Sequence, residues 1–127
     1  MNDATQYKSK GGWRRIIAAA RYSMSGIRAT WRHEAAFRQE VAIAVALMPI
    51  AIWTWINRGR WPALLLIGSM LFVLVVELLN SGLEALADAV SLEHRVLLGR
   101  AKDMGSAAVF FSLIIAVMIW LCVLWPE

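Results

Sequence analysis

Ala63-Leu64-Leu65-Leu66-Ile67-Gly68-Ser69-Met70-Leu71-Phe72-Val73-Leu74-Val75-Val76-Glu77-Leu78-Leu79-Asn80-Ser81-Gly82-Leu83-Glu84 is an uncharged apolar run that ends in a carboxylate, an amide and a second carboxylate. At about 100° per residue, Glu77 and Glu84 fall within ~20° of each other around a helix, with Asn80 and Asp88 within roughly 60° of Glu77. One polar stripe therefore descends an otherwise apolar helix. An ionisable side chain in a membrane segment costs on the order of 3 kcal/mol near the bilayer centre, so it normally faces a protein interior or a functional cavity. Polar contact between helices, or a helix end in water, is the plainer explanation. Asn80 alone fits it; two acids beside the amide point to a site.

The rest of the chain agrees with a membrane setting. With 60% hydrophobic residues among 127, and several long apolar runs, the sequence predicts an integral membrane protein rather than a small soluble domain. Its single cysteine, Cys122, excludes an intrachain disulfide and reads as a packed or lipid-facing thiol. The net charge of +4 does not point to nucleic acid, because eight of the thirteen Lys and Arg precede the first apolar span, where anionic lipid headgroups account for them. Residues 1–11 read as a polar tail, with no short apolar core and cleavage pattern of a secretory signal.

Four helices follow from the patterning. Trp13, Ile16, Ile17, Ala20, Met24, Ile27 and Trp31 recur at i, i+3, i+4 and i+7, with Arg14, Arg21 and Arg28 on another face. This predicts an amphipathic helix over residues 12–32 lying in the membrane interface. Membrane spans are expected at about residues 35–56, 62–90 and 103–125, the first with Pro49 inside it and Asn57 to Arg60 turning into the second. Ser91 to Gly99 reads as a loop. His33 has no second His or Cys at ligand spacing, so zinc is not expected. The cationic N-terminal segment, with Arg95, Arg100 and Lys102 in the second loop, puts both on the cytoplasmic side. Trp53, Trp55, Trp61, Trp120 and Trp125 then form an aromatic belt at the opposite interface. Sixteen residues from Trp61 to Glu77 are ~24 Å of helix, which sets Glu77 just inside the cytoplasmic boundary, with Glu84 ~10 Å further out. A proton path would more naturally hold its acids near the midplane.

Three stretches carry a resemblance: Glu34-Ala-Ala-Phe-Arg-Gln-Glu40, Val76-Glu-Leu-Leu-Asn-Ser-Gly-Leu-Glu-Ala85 and Gly99-Arg-Ala-Lys-Asp-Met-Gly-Ser-Ala-Ala108. In order and spacing the chain from Trp13 onward resembles the small integral-membrane prokaryotic diacylglycerol kinases. The resemblance implies an all-α membrane protein with three spanning helices and a surface helix. It also implies a homotrimer that shares active sites between subunits in the inner membrane. Glu77 matches the catalytic base and Asn80 a polar residue near the reacting hydroxyl; Glu34 and Glu84 match the Mg²⁺ ligands. Arg15, Tyr22, Glu34, Glu84, Glu93, His94, Arg95, Lys102 and Asp103 fall at positions that contact ATP. Ser23, Arg28, Trp31, Ala36, Phe37, Arg38, Gln39, Glu40, Glu77 and Ser106 fall where the lipid is held. Ala18, Met24, Ser25, His94 and Arg95 depart from the commonest family pattern.

The implied reaction transfers a phosphoryl group from ATP to diacylglycerol and gives phosphatidic acid. Such chemistry needs charge neutralisation at phosphate and a group that accepts the alcohol proton, which the acidic stripe and Lys102 are equipped to supply. The residues do not read the lipid tail, so a polyprenol kinase of the same fold stands as an alternative. A small proton-coupled transporter is a further one, and phosphotransfer assays against flux assays separate these classes.

Overall fold

The computed structural model describes residues 12–90 and 96–125. Four helices make up those residues: α1 (Trp13–His33), α2 (Ala35–Arg58), α3 (Arg60–Val90) and α4 (Val96–Leu124). The last three are long and apolar enough to cross a membrane, as their composition anticipates. The tail at residues 1–11 lies outside the described residues, as does the stretch 91–95, which holds Glu93, His94 and Arg95.

α1 buries only Thr30 and leaves Trp13, Ile16, Ile17 and Ile27 exposed, as expected of a helix whose apolar face meets lipid. It ends at one residue. Glu34 adopts an extended backbone (φ −108°, ψ 114°), and its N–H donates to the Thr30 carbonyl at 2.8 Å. Arg38 reaches back one turn into α2 and donates Nη1 to the Trp31 carbonyl at 2.8 Å, satisfying a helix-terminal acceptor. Glu34 is thus the elbow between the surface helix and the first span.

α2 is 24 residues, or ~36 Å, enough to cross the hydrocarbon once its charged first turns are included. The helix runs unbroken through Pro49, which deprives the Val45 carbonyl of its usual donor. Buried Thr54 turns its hydroxyl onto the Ile50 carbonyl at 2.8 Å, so this polar group brings no unsatisfied donor into the membrane. Gly59 alone separates α2 from α3, with φ 96° and ψ 175°, a conformation that only glycine adopts freely.

α3 is the central element and packs against both α2 and α4. Its buried residues Ala63, Leu66, Met70, Val73, Glu77 and Ser81 recur at three- and four-residue spacing, which makes one continuous inward face. α4 runs antiparallel to it. Trp120 Nε1 donates to Ser69 Oγ at 3.2 Å near one end, and Lys102 Nζ donates to Asp88 Oδ1 at 2.9 Å near the other. At the tryptophan-rich end, Arg58 Nη1 donates to the Val123 carbonyl at 2.6 Å while its guanidinium lies 5.6 Å from the Trp53 ring centroid. Within one chain α4 buries only Ser112; Phe110, Phe111 and Leu121 face outward. α4 starts at Val96, earlier than the sequence expectation of about 103. Bilayer thickness limits the apolar part of a helix but not its extension into water, and Val96-Leu97-Leu98 carry the helical pattern past the charged stretch.

Gly59→Ala should lower thermal stability in detergent, because a Cβ in this backbone region costs about 1–3 kcal/mol. Thermal unfolding followed by circular dichroism reads the loss, and a melting temperature equal to wild type would show that the turn relaxes without strain.

Candidate functional site

The inward face of α3 changes character at Glu77. Before it the face is apolar apart from Ser69; from Glu77 onward it carries Asn80, Ser81 and Glu84. Glu77 is only 4% exposed, an unusual position for a carboxylate. Glu34 at the elbow, Glu40 one turn into the first span and Glu84 further along α3 all lie close enough to interact electrostatically with it. Two helices and an elbow therefore gather four acids. Among the described residues the single ion pair is Lys102 with Asp88, so none of the four is matched to a basic side chain there. Acids this near one another, with Glu77 buried and the other three partly so, are costly to ionise together, and a cation entering the cluster would relieve that cost.

Asn80 organises one side of the cluster. Its Nδ2 donates to Glu84 Oε1 at 3.2 Å, which leaves Oε2 of that carboxylate free of this bond. Its Oδ1 is buried with no partner among the described residues, and Glu40 Oε2 and Ser81 Oγ share that condition. α4 comes closest to this point through Gly105, where a Cβ would overlap Asn80 Oδ1 and stand 3.1 Å from Leu83 Cδ2. The missing side chain at residue 105 is what lets Asn80 lie between the two helices.

A cleft of about 540 Å³ opens beside the acids, between α1 and α3. Ser23, Gly26, Ile27 and Thr30 form one wall; Leu78, Ser81, Gly82 and Ala85 form the other, and Glu34 lies at the elbow end. Its walls are mainly apolar, so it suits an apolar or amphipathic group better than a highly charged solute.

The residues singled out from sequence fall into four groups. Glu34, Glu40, Glu77, Asn80 and Glu84 come together, and Ser23 lines the cleft. Arg15, Arg28, Gln39, Ala36, Asp103 and Ser106 are exposed, Tyr22 is 74% exposed, and Trp31 is half-exposed. Phe37 is buried as a packing residue, Arg38 is engaged by the backbone of α1, and Lys102 is engaged by Asp88. Glu93, His94 and Arg95 fall outside the described residues. Sequence reading gave Ser81 no role and took Gly105 only as one of the small residues between Gly99 and Ser106 that permit close backbone approach. Ser81 stands four residues after Glu77, a same-face spacing that was there to be used, whereas the role of Gly105 depends on the register of α4 against α3.

The donor set is compatible with a hard divalent ion. Glu34 and Glu84 offer carboxylate oxygens, the ligand type that Mg²⁺ takes. Among the described residues no three His, Cys, Asp or Glu side chains form a complete metal cage. Mg²⁺ at phosphoryl-transfer sites is commonly held by one or two carboxylates together with the phosphates of the substrate, so no such cage is required.

Comparison with known proteins bears on the same stretch of chain. The family model described as prokaryotic diacylglycerol kinase matches residues 21–124. The chain is 49% identical over 116 residues to a diacylglycerol kinase of Escherichia coli K12, covering 91% of this chain and 93% of that protein. It is 45% identical over 118 residues to one from Pseudomonas aeruginosa, with 93% and 94% covered. A diacylglycerol kinase of Haemophilus influenzae is 37% identical over 114 residues, with 90% and 94% covered.

Gly105→Ala tests the geometry directly. The added methyl should turn the Asn80 amide away from Glu84 and shift its side-chain N–H resonances, while helicity stays at the wild-type level. Unchanged Asn80 resonances would mean that the helices do not approach this closely.

Proposed function

The chain belongs to the prokaryotic diacylglycerol kinases, and on that premise we propose that it transfers the γ-phosphoryl group of ATP to the free hydroxyl of diacylglycerol, giving phosphatidic acid and ADP. The single observation that carries this reading beyond family membership is the buried carboxylate of Glu77. It lies on a membrane-spanning helix among three further acids and beside a cleft of apolar lining. The whole chain, residues 1–127, acts as one domain.

In this reading the glycerol end of the lipid enters the α1–α3 cleft, and its acyl chains remain in the bilayer. Glu77 accepts the proton of the hydroxyl as the oxygen bonds to phosphorus and the bond to the ADP oxygen breaks. The burial of Glu77 keeps bulk water from competing as phosphoryl acceptor. Asn80 orients Glu84 through the bond already present between them. Glu34 and Glu84 would hold Mg²⁺, which when bound would neutralise charge on the ATP phosphates. Lys102 donates to phosphate oxygens from the α4 side, and Arg15, Tyr22, Glu93, His94, Arg95 and Asp103 complete the nucleotide contacts. Arg28, Trp31, Phe37, Arg38, Gln39, Glu40 and Ser106 belong to the lipid side.

The working unit in this proposal is a homotrimer in the inner membrane with its N-terminus in the cytoplasm. The trimer follows from the family resemblance, since the outward apolar surface of α4 is met by lipid as well as by a partner. The excess of Lys and Arg ahead of the first span supports the orientation.

Glu77→Gln removes the base while keeping nearly the same volume, so kcat should fall about 10²- to 10⁴-fold with assembly and ATP binding retained. Near-normal kcat in correctly assembled protein would remove Glu77 from the role. Assays in mixed micelles with diacylglycerol, undecaprenol or no lipid check the acceptor, and preferential transfer to undecaprenol would overturn the diacylglycerol assignment.

Glu84→Gln should weaken the apparent affinity for Mg²⁺, because an amide keeps the shape but loses the charge that holds a hard cation. An unchanged Mg²⁺ titration would exclude the ligand role. Shared sites are tested by mixing subunits that carry Glu34→Ala with subunits that carry Glu77→Ala. Partial recovery of activity is expected, and no recovery in verified mixed trimers would argue that each site lies within one subunit.

A further inference from the structure

Asp88 has no part in the chemistry described above, yet it makes the one ion pair among the described residues. Its Oδ1 accepts from Lys102 Nζ at 2.9 Å and joins the cytoplasmic ends of α3 and α4 in the proposed orientation. Asp88 stands one helical turn beyond Glu84, on the continuation of the stripe that carries Glu77. Lys102 stands three residues before Gly105, where α4 meets Asn80, and its ammonium also lies within electrostatic reach of Glu84. The pair is therefore located at the rim of the acidic cluster.

We propose that Asp88 is a positioning residue for the nucleotide, holding the Lys102 ammonium at the rim of the acidic cluster where the triphosphate arrives. The inference rests on the reading of Lys102 as a nucleotide contact. Lys102 and Asp88 are 38% and 61% exposed, and ion pairs as accessible as this contribute little to stability, so simple bracing of the two helices is a weak account of it. The geometric consequence is larger. A lysine carries four flexible side-chain torsions, and ordering them opposes the binding of any ligand that needs the ammonium in one place. Asp88 imposes that order beforehand and uses one of three N–H donors, leaving two for phosphate oxygens. A carboxylate at this distance also repels phosphate, so ordering and repulsion act in opposite directions on ATP affinity. Ordering prevails over repulsion.

The test uses the full-length protein in mixed micelles, with ATP titrated at saturating diacylglycerol and Mg²⁺. Asp88→Ala should raise the KM for ATP about three- to tenfold and leave kcat and the KM for diacylglycerol close to wild type. Asp88→Glu should recover most of the loss, because it retains the carboxylate. In a Lys102→Ala background, Asp88→Ala should add nothing further. An unchanged or lowered KM for ATP in Asp88→Ala overturns the proposal, as does an equal rise with and without Lys102. If Lys102→Ala leaves the KM for ATP unaltered, Lys102 is not a nucleotide contact and the proposal falls, whereas the Glu77 chemistry stands on its own kcat measurement. Absence of phosphotransfer by the wild-type protein would instead overturn the kinase reading itself.

Discussion

A carboxylate carried into an apolar helix must be compensated, and the arrangement around Glu77 follows from that requirement. The helix backbone satisfies its own hydrogen bonds, but the side chain brings a charge that the hydrocarbon cannot solvate. Here it has more acids than bases for neighbours: Glu34, Glu40 and Glu84 lie within electrostatic reach of it, and the nearby lysine is turned to Asp88. A fold selected for stability alone would place an arginine there or an alanine instead of Glu77. Acids grouped with room beside them are what the proposed cation-dependent chemistry would require.

Much of the fold was legible because membrane helices declare themselves by length and composition. The apolar runs foretold three spans, and the regular return of Trp13, Ile16, Ile17, Ala20 and Ile27 foretold the interfacial helix. The stripe of Glu77, Asn80 and Glu84 was legible for a similar reason, as helical periodicity is a property of one segment. The start of α4 was not, because hydropathy marks where a helix leaves lipid but is silent on how far it continues into water. Contacts between helices lay beyond reach as well. That Gly105 faces Asn80, that Glu40 approaches Glu77 and that Lys102 meets Asp88 all depend on register, which no single segment encodes.

The two ends of the molecule divide the work. At the tryptophan-rich end, Arg58 ties α2 to the end of α4, Trp120 ties α4 to Ser69, and a one-residue turn at Gly59 joins α2 to α3. These bonds hold the spans in a fixed relation. The opposite end is looser within one chain: α1 makes slight contact with α2 and α3 and leaves a cleft beside the acids. A rigid far end and an open near end suit a protein whose substrate must arrive sideways, from within the bilayer.

The elbow at Glu34 adds a mechanical property. α1 is 21 residues, or ~32 Å, and Glu34 follows its last residue directly. A rod hinged at one end sweeps widely at its tip and hardly at all at its fulcrum. Any tilt of α1 about this elbow would move the Trp13 end most and Glu34 least. A carboxylate at the pivot would keep its place while the helix that it ends tilts.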